Sequence, residues 1–141
     1  MEMQTPPPPP KNSQNPDGKM SPVDILAKSV KGKEDPNQLH MELTQLVNSD
    51  PNFRIMRANN SLFVYRNQGN GMAKVMLETA DDPRKMVDSF KQFSQAMKKA
   101  NFKTLKFDIS NPDIVRVIKL AGGQPKMAGV AGQNMTGMVE I

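Results

Sequence analysis

The stretch MAKVMLETADDPRKMVDSFKQFSQAMKKANFKTLKFDI, residues 72–109, decides the fold of this 141-residue chain. Its beginning, MAKVMLET (72–79), and its end, TLKFDI (104–109), alternate apolar and polar side chains, a period typical of β-strands. The segment between them carries apolar side chains at helical spacing, namely Met86, Val87, Phe90, Phe93 and Met97. A strand, a helix and a strand in succession predict two parallel strands joined by a right-handed crossover.

Two helices and two further strands are predicted before this unit. Ser21-Pro22 and Asp35-Pro36 each place a capping side chain before a proline, which is typical of the first turn of a helix. The apolar stripe expected on the second helix consists of Leu39, Leu43, Leu46 and Val47. The runs FRIMRA (53–58) and SLFVYRN (61–67) flank Asn59-Asn60, which tolerates a tight turn, and predict two strands of an antiparallel meander.

A further helix and a Gly-rich end follow the quoted stretch. Asn111-Pro112 is typical of a helix start and Gly122-Gly123 of a helix end. The apolar residues between them are Ile114, Val117, Ile118 and Ala121. Residues 127–141 predict one weak strand or a hairpin. The order of elements, α–α–β–β–β–α–β–α–β(β), predicts one α+β domain at 21–141 with a mixed, mainly antiparallel sheet covered by helices.

Residues 1–20 differ in composition from the rest of the chain. They contain six of the twelve prolines and no aliphatic side chain besides Met, so they cannot bury enough apolar surface to offset the entropy of ordering. The run TPPPPP favours polyproline II, an extended helix without internal hydrogen bonds. We expect an extended tail that binds a partner through Pro6, Pro7, Pro8, Pro9 and Pro10.

Composition and charge exclude several classes of protein. The chain lacks cysteine, which rules out a disulfide framework and a thiolate site. It has no apolar run of about 18 residues, so we expect no membrane among its partners, and no signal peptide is apparent at its start. Residues 1–50 carry a net charge of −2 and residues 51–141 carry +7. A basic half of this kind suits acidic protein or nucleic acid as a partner.

The predicted order of elements resembles the acetyltransferase fold of the GNAT superfamily without its first strand. The match is best at KTLKFDISNPDIVRVIKLAGG, residues 103–123. In GNAT proteins a strand ends in a short loop with Asn, a helix follows, and a Gly closes it. The parts that look like these are Phe107–Ile109, Asn111, Pro112–Ala121 and Gly122-Gly123. The resemblance implies a GNAT-like fold over residues 22–141.

One part of the GNAT pattern does not match this chain. GNAT enzymes hold the pyrophosphate of acetyl-CoA with a glycine-containing loop between a strand and the next helix, where backbone N–H groups face the anion. Residues 78–84 read ETADDPR at this place and contain no glycine. Pro83 lacks an N–H, and Asp81 and Asp82 repel phosphate. This departure predicts a GNAT-like scaffold that holds no cofactor and has no enzymatic activity.

Acetyltransferase-like domains without this loop also occur among small structural proteins of tailed-phage virions. The chain resembles that group in its short length, its lack of cysteine and its polar tail. The resemblance implies a non-enzymatic virion component, present in several copies and assembled in the host cytoplasm. Its expected partners are larger virion proteins (capsid, portal or tail) and packaged DNA. Adaptable methionines near the C-terminus form a second candidate docking surface: Met127, Met135 and Met138.

Two alternative functions are left open. The meander combines basic and aromatic side chains, which favours a nucleic-acid-binding phage regulatory protein; these are Arg54, Arg57, Phe63, Tyr65 and Arg66. The other alternative is an acyltransferase with an atypical acetyl-CoA loop. His40, the sole histidine, is expected to be structural. Asp81 and Asp82 are expected to cap a helix in place of binding a metal ion.

Overall fold

The computed structural model describes residues 20–109, 112–128 and 135–141. Within these ranges there are four helices and six strands. The helices are α1 (Pro22–Val30), α2 (Pro36–Ser49), α3 (Pro83–Lys99) and α4 (Pro112–Leu120). The strands are β1 (Phe53–Ala58), β2 (Ser61–Gly69), β3 (Met72–Thr79), β4 (Thr104–Ile109), β5 (Lys126–Ala128) and β6 (Met135–Glu140). The proline run Pro6–Pro10 of the predicted tail lies outside the described residues.

The strands form one sheet in the order β1-β2-β3-β4-β6-β5. Strands β3 and β4 run parallel and are joined by α3, and the other neighbouring pairs described are antiparallel. The antiparallel meander and the parallel pair with its helical crossover are thus confirmed. Of the two alternatives for the C-terminal end, one strand or a hairpin, the structure has the antiparallel pair β5–β6. The fold is α+β with a mixed, mainly antiparallel sheet.

Apolar side chains on the two faces of the sheet form two cores. The larger core lies between the sheet and helices α3 and α4, where the rings of Phe63 and Phe93 stack with their centroids 4.2 Å apart. The smaller core lies beneath α1 and α2, and its buried members are Ile25, Leu26, Leu43, Leu62 and Val64. Successive residues of a strand face opposite sides of the sheet. Strand β2, which carries Leu62, Phe63 and Val64, is therefore covered on both faces.

Three helices begin with the predicted cap and proline. The side chains of Ser21, Asp35 and Asp82 accept backbone N–H groups in the first turns of α1, α2 and α3. The predicted stripe of α2 is only partly covered: Leu43 is buried, whereas Leu46 is 41% exposed. The reason is that α2 packs on α1 and on the edge strand β1, which cover a narrow part of its surface. In the part of the chain that is described, no helix has the length and hydropathy needed to cross a membrane.

Phe93→Ala is expected to destabilise the domain strongly, because Phe93 is fully buried and stacks on Phe63. Removal of a buried phenylalanine ring lowers the free energy of unfolding by about 3–5 kcal/mol. Met41→Ala on α2 is the control, since the Met41 side chain is 53% exposed, and it should change this free energy by at most about 0.5 kcal/mol. Urea unfolding measures both variants. A loss below about 1 kcal/mol for Phe93→Ala would contradict the described core.

Candidate active site

The parallel strands β3 and β4 separate towards their carboxyl ends. Their pairing covers Met72–Val75 and Thr104–Phe107, although β3 continues to Thr79 and β4 to Ile109. A cavity of about 570 Å³ lies where the pairing has ended. The carboxyl ends of neighbouring parallel strands are a preferred place for ligands in sheets covered by helices. This cavity, the β3–β4 cleft, is therefore the candidate active site.

Both faces of the sheet contribute walls to the β3–β4 cleft. Met86 of α3 and Ile114 of α4, which belong to the larger core, line one side. Lys28, Ser29 and Lys31, at the C-terminal end of α1, line the other side. The cleft thus has an apolar side and a polar side, and it passes between the two separated strands.

Glu78 of β3 is a half-buried carboxyl in the wall of this cleft. Burial raises the pKa of Glu78 above its usual value, the hydrogen bond from Ser29 lowers it, and the charge of Glu34 raises it further. The Ser29 hydroxyl donates to Glu78 Oε1 at 2.6 Å. A carboxyl whose pKa is raised by burial in a cleft is a candidate general base.

Ser29 connects helix α1 to the end of β3. Its Oγ accepts the backbone N–H of Thr79 at 3.1 Å while its hydroxyl proton is donated to Glu78. The same helix buries Ile25 and Leu26 in the smaller core. The position of the Glu78 carboxylate therefore depends on the packing of α1 against the sheet.

Asp81, in the turn between β3 and α3, is held by donors from three parts of the chain. Its carboxylate accepts the hydroxyls of Ser61 at 2.6 Å and Ser89 at 3.0 Å and the backbone N–H of Asn60 at 3.2 Å. Ser61 and Ser89 are fully buried. The expectation that Asp81 caps α3 is wrong, because Asp82 is the N-cap. Asp81 instead ties the β1–β2 turn and α3 to the end of β3.

Other titratable groups lie in or near the cleft. Asp108 of β4 lines it, and its carboxylate is 3.7 Å from Lys74 Nζ. His40 lies half-buried on α2, outside the cleft walls. Within the described ranges, no group of three or more His, Asp or Glu side chains could hold a metal ion. The carboxyl groups that line the cleft are those of Glu78, Asp81 and Asp108.

The aromatic residues suggested for nucleic-acid binding belong to the core. Phe63 is 1% exposed, and the ring of Tyr65 meets the ring of Phe102 edge-on, with centroids 6.0 Å apart. Arg57 donates to the side chain of Asn60, so its guanidinium is part of the β1–β2 turn. Base stacking needs an exposed ring face beside free basic groups. Phe63 and Tyr65 do not offer such a face, because both rings pack in the larger core.

The predicted docking residues do not line the cleft. Met127 and Met138 belong to neighbouring residue pairs of the β5–β6 ladder, so they lie on opposite faces of the sheet. Met135 is the first residue of β6. A partner with one flat surface would contact one face of the sheet, and therefore only one of Met127 and Met138. Docking through Met127, Met135 and Met138 stays a prediction, and so does docking through Pro6–Pro10, which lie outside the described residues.

The chain is similar in fold to solved acetyltransferases. An acetyltransferase from Thermus thermophilus is 12% identical, with a TM-score of 0.62 over 84% of this chain and 88% of that chain. The ribosomal-protein-S5-alanine acetyltransferase from Vibrio fischeri is 11% identical, with a TM-score of 0.59 over 85% of each chain. The PaiA N-acetyltransferase from Thermoplasma acidophilum, solved with coenzyme A, is 11% identical, with a TM-score of 0.53 over 84% and 90%. The chain thus has a GNAT-like fold. No protein-family model and no curated protein sequence matches it.

This comparison corrects one expectation from the sequence. A protein without enzymatic activity was expected, and the finding that solved acetyltransferases share the fold contradicts that expectation. The expectation was wrong because the lack of a glycine-containing phosphate loop was taken to mean the lack of an active site. The structure has a cleft between separated parallel strands and a half-buried carboxyl in its wall. Neither feature depends on a glycine in the loop.

The turn between β3 and α3 does not fit the pyrophosphate of acetyl-CoA. Asp81 and Asp82 place two carboxylates at the start of α3, and Pro83 has no N–H to offer. The N–H of Lys85 is already bound by Asp82 at 2.9 Å. A phosphate at this position would meet like charge and few backbone donors. The cleft is present, whereas the phosphate cradle is not.

Glu78→Gln is expected to change how stability depends on pH. Because the pKa of Glu78 is raised in the folded protein, its contribution to the free energy of unfolding falls as pH rises above 4.5 through the raised pKa. The variant lacks this loss, so its stability relative to the wild type should increase between about pH 4 and about pH 8. Urea unfolding across this range measures the difference, with Glu42→Gln, at an exposed position of α2, as the control. A difference that is constant with pH would contradict a raised pKa.

Proposed function

We propose that this chain is an acyltransferase and that the β3–β4 cleft holds the acyl group and its acceptor. The observation that carries the proposal is the half-buried carboxyl of Glu78 in the wall of a cleft between separated parallel strands. A cleft that shields a base from bulk water favours proton transfer between bound groups. The fold shared with acetyltransferases supports the same class of reaction by analogy.

Glu78 is the general base of the proposed reaction. An acceptor amine or hydroxyl loses its proton to the Glu78 carboxylate while its nitrogen or oxygen bonds to the acyl carbon. The bond between the acyl carbon and the leaving group then breaks, and the leaving group takes up the proton. Burial raises the pKa of Glu78, which makes it a stronger base than a solvated carboxylate and brings its basicity closer to neutral pH.

The free edge of β3 offers a position for the acyl carbonyl. Beyond Val75 the strand is no longer paired with β4. The N–H of Thr79 is directed to Ser29 across this edge, and the alternation of a strand directs the N–H of Leu77 to the same side. The N–H of Thr79 is already bound, so the N–H of Leu77 is the donor proposed for the acyl carbonyl. A fixed N–H close to a reacting carbonyl stabilises the negative charge that develops on the carbonyl oxygen.

Glu78→Gln is expected to lower kcat by about 10²–10⁴, because an amide cannot accept the acceptor's proton. Thiol release from an acetyl thioester, followed with a thiol reagent in the presence of a panel of amines, measures turnover. The chain has no cysteine, so the signal comes from the leaving group alone. The exposed-site control Glu42→Gln should keep the wild-type kcat. Equal kcat in Glu78→Gln and the wild type would exclude Glu78 as the base.

Ser29→Ala is expected to move the acidic limb of the kcat/KM profile to higher pH. The hydrogen bond from Ser29 lowers the pKa of Glu78, so its loss raises the pH at which the base becomes charged. Ser49→Ala, at an exposed position of α2, is the control and should leave the profile in place. An unshifted profile in Ser29→Ala would show that the group titrating in this limb is not Glu78.

Location in a virion is a separate proposal that concerns where the chain acts. It is supported by the resemblance to small phage proteins and by the proline-rich composition of residues 1–20. Larger virion proteins and packaged DNA would be the partners in that setting, with Pro6–Pro10 as the docking segment. An acyltransferase carried in or on a particle satisfies both proposals.

A further inference from the structure

We propose that the β3–β4 cleft takes its acyl group from a thioester whose arm carries no nucleotide diphosphate, such as S-acetylpantetheine, in preference to acetyl-CoA. This inference rests on the proposed acyl transfer and names the class of donor for it. Its basis is the turn between β3 and α3. There the protein's own carboxylates lie where a diphosphate would bind, and they accept hydrogen bonds from the donors that it would need.

Asp81 is a built-in anion at this turn. Two buried hydroxyls and one backbone N–H converge on its carboxylate, from Ser61, Ser89 and Asn60, at 2.6, 3.0 and 3.2 Å. The backbone N–H of Asp81 itself donates to Thr79 Oγ1 at 3.0 Å. A group with this many short contacts from buried partners does not swing aside to admit a ligand. A negative charge is therefore fixed beside the end of β3.

The N-terminus of α3 has few donors left for an external anion. Pro83, the first helical residue, has no N–H. The N–H of Lys85 is bound by the Asp82 carboxylate at 2.9 Å, and the N–H of Met86 is bound by the Asp82 carbonyl at 2.8 Å. Helix N-termini bind phosphate through such N–H groups. Three of the first four residues of α3, Pro83, Lys85 and Met86, therefore have no free N–H for a phosphate.

Cations near the turn do not replace the missing cradle. Arg84 and Lys85 follow Pro83 on the helix, and their side chains are exposed. Lys28 and Lys31 of α1 are also exposed, on the polar side of the cleft. Exposed cations in water contribute little to the binding of a single anion. The carboxylates of Asp81 and Asp82, in contrast, repel an anion at this turn.

The cleft has apolar side chains and unpaired backbone groups that suit the uncharged part of a thioester arm. Met76 and Leu77 of β3 line the cleft together with Met86 and Ile114, and Leu77 packs against the same core cluster as these two residues. Its volume of about 570 Å³ is in the range of pockets that enclose small ligands. The unpaired edge of β3 beyond Val75 offers backbone groups to the amides of such an arm.

Calorimetric titration of the full chain with S-acetylpantetheine, acetyl-CoA and ADP tests the donor class. S-acetylpantetheine is expected to bind, acetyl-CoA is expected to bind no more tightly, and ADP is expected not to bind at millimolar concentration. The double variant Asp81→Asn/Asp82→Gly removes both charges, and a glycine N-cap costs little stability. It should tighten acetyl-CoA relative to S-acetylpantetheine by at least about threefold, since the charge repulsion from Asp81 and Asp82 is lost.

Asp35→Gly is the matched control, because Asp35 caps α2 before a proline as Asp82 caps α3. It should leave the ratio of the two dissociation constants unchanged. Acetyl-CoA binding about tenfold more tightly than S-acetylpantetheine to the wild type would overturn the inference and leave the acyltransferase proposal standing. An unchanged ratio in the double variant would also overturn it. If neither thioester binds at millimolar concentration, the proposed function fails as well.

Discussion

The structure depends on the point at which β3 and β4 stop pairing, after Val75 and Phe107. Up to that point the two strands satisfy each other's backbone groups, and beyond it those groups need other partners. The N–H of Thr79 finds one in Ser29 Oγ. The separated strands are held apart by packing on both faces of the sheet, with α3 and α4 on one side and α1 on the other. The cleft is therefore a product of the whole core and not of a local loop.

Two carboxyls that are three residues apart have different roles because their surroundings differ. Asp81 is surrounded by hydrogen-bond donors and acts as a structural anion that joins the β1–β2 turn to α3. Glu78 lies in the cleft wall, where burial raises its pKa and a single serine opposes that effect. A carboxylate that is satisfied internally does not serve as a base, whereas one that is poorly solvated can. In the proposed reaction, this difference makes Glu78 the base and Asp81 a charge that opposes the binding of phosphate.

The order of helices and strands could be predicted because each boundary has a local signal. Ser21, Asp35 and Asp82 before prolines mark helix starts, and the apolar period changes from helix to strand where the structure changes. The absence of a glycine phosphate loop could also be read directly from residues 78–84.

The chemistry of the cleft could not be predicted in the same way, because it depends on contacts between distant parts of the chain. Ser29 and Glu78 meet across 49 residues, and Asn60, Ser61 and Ser89 converge on Asp81 from separate elements. Helix signals show where α1 begins but not that its last turn reaches β3. The expectation of a protein without activity came from the missing phosphate loop and from the resemblance to small virion proteins, neither of which reports on these contacts.

The most direct test of the account is to map donor binding on the backbone amides by NMR. Titration of ¹⁵N-labelled protein with S-acetylpantetheine should shift the amides of Met76–Thr79 in β3 and those of Met86 and Ile114, which also line the cleft. Shifts confined to the β5–β6 hairpin or to the outer surface of α2 would contradict an acyl-transfer site between β3 and β4.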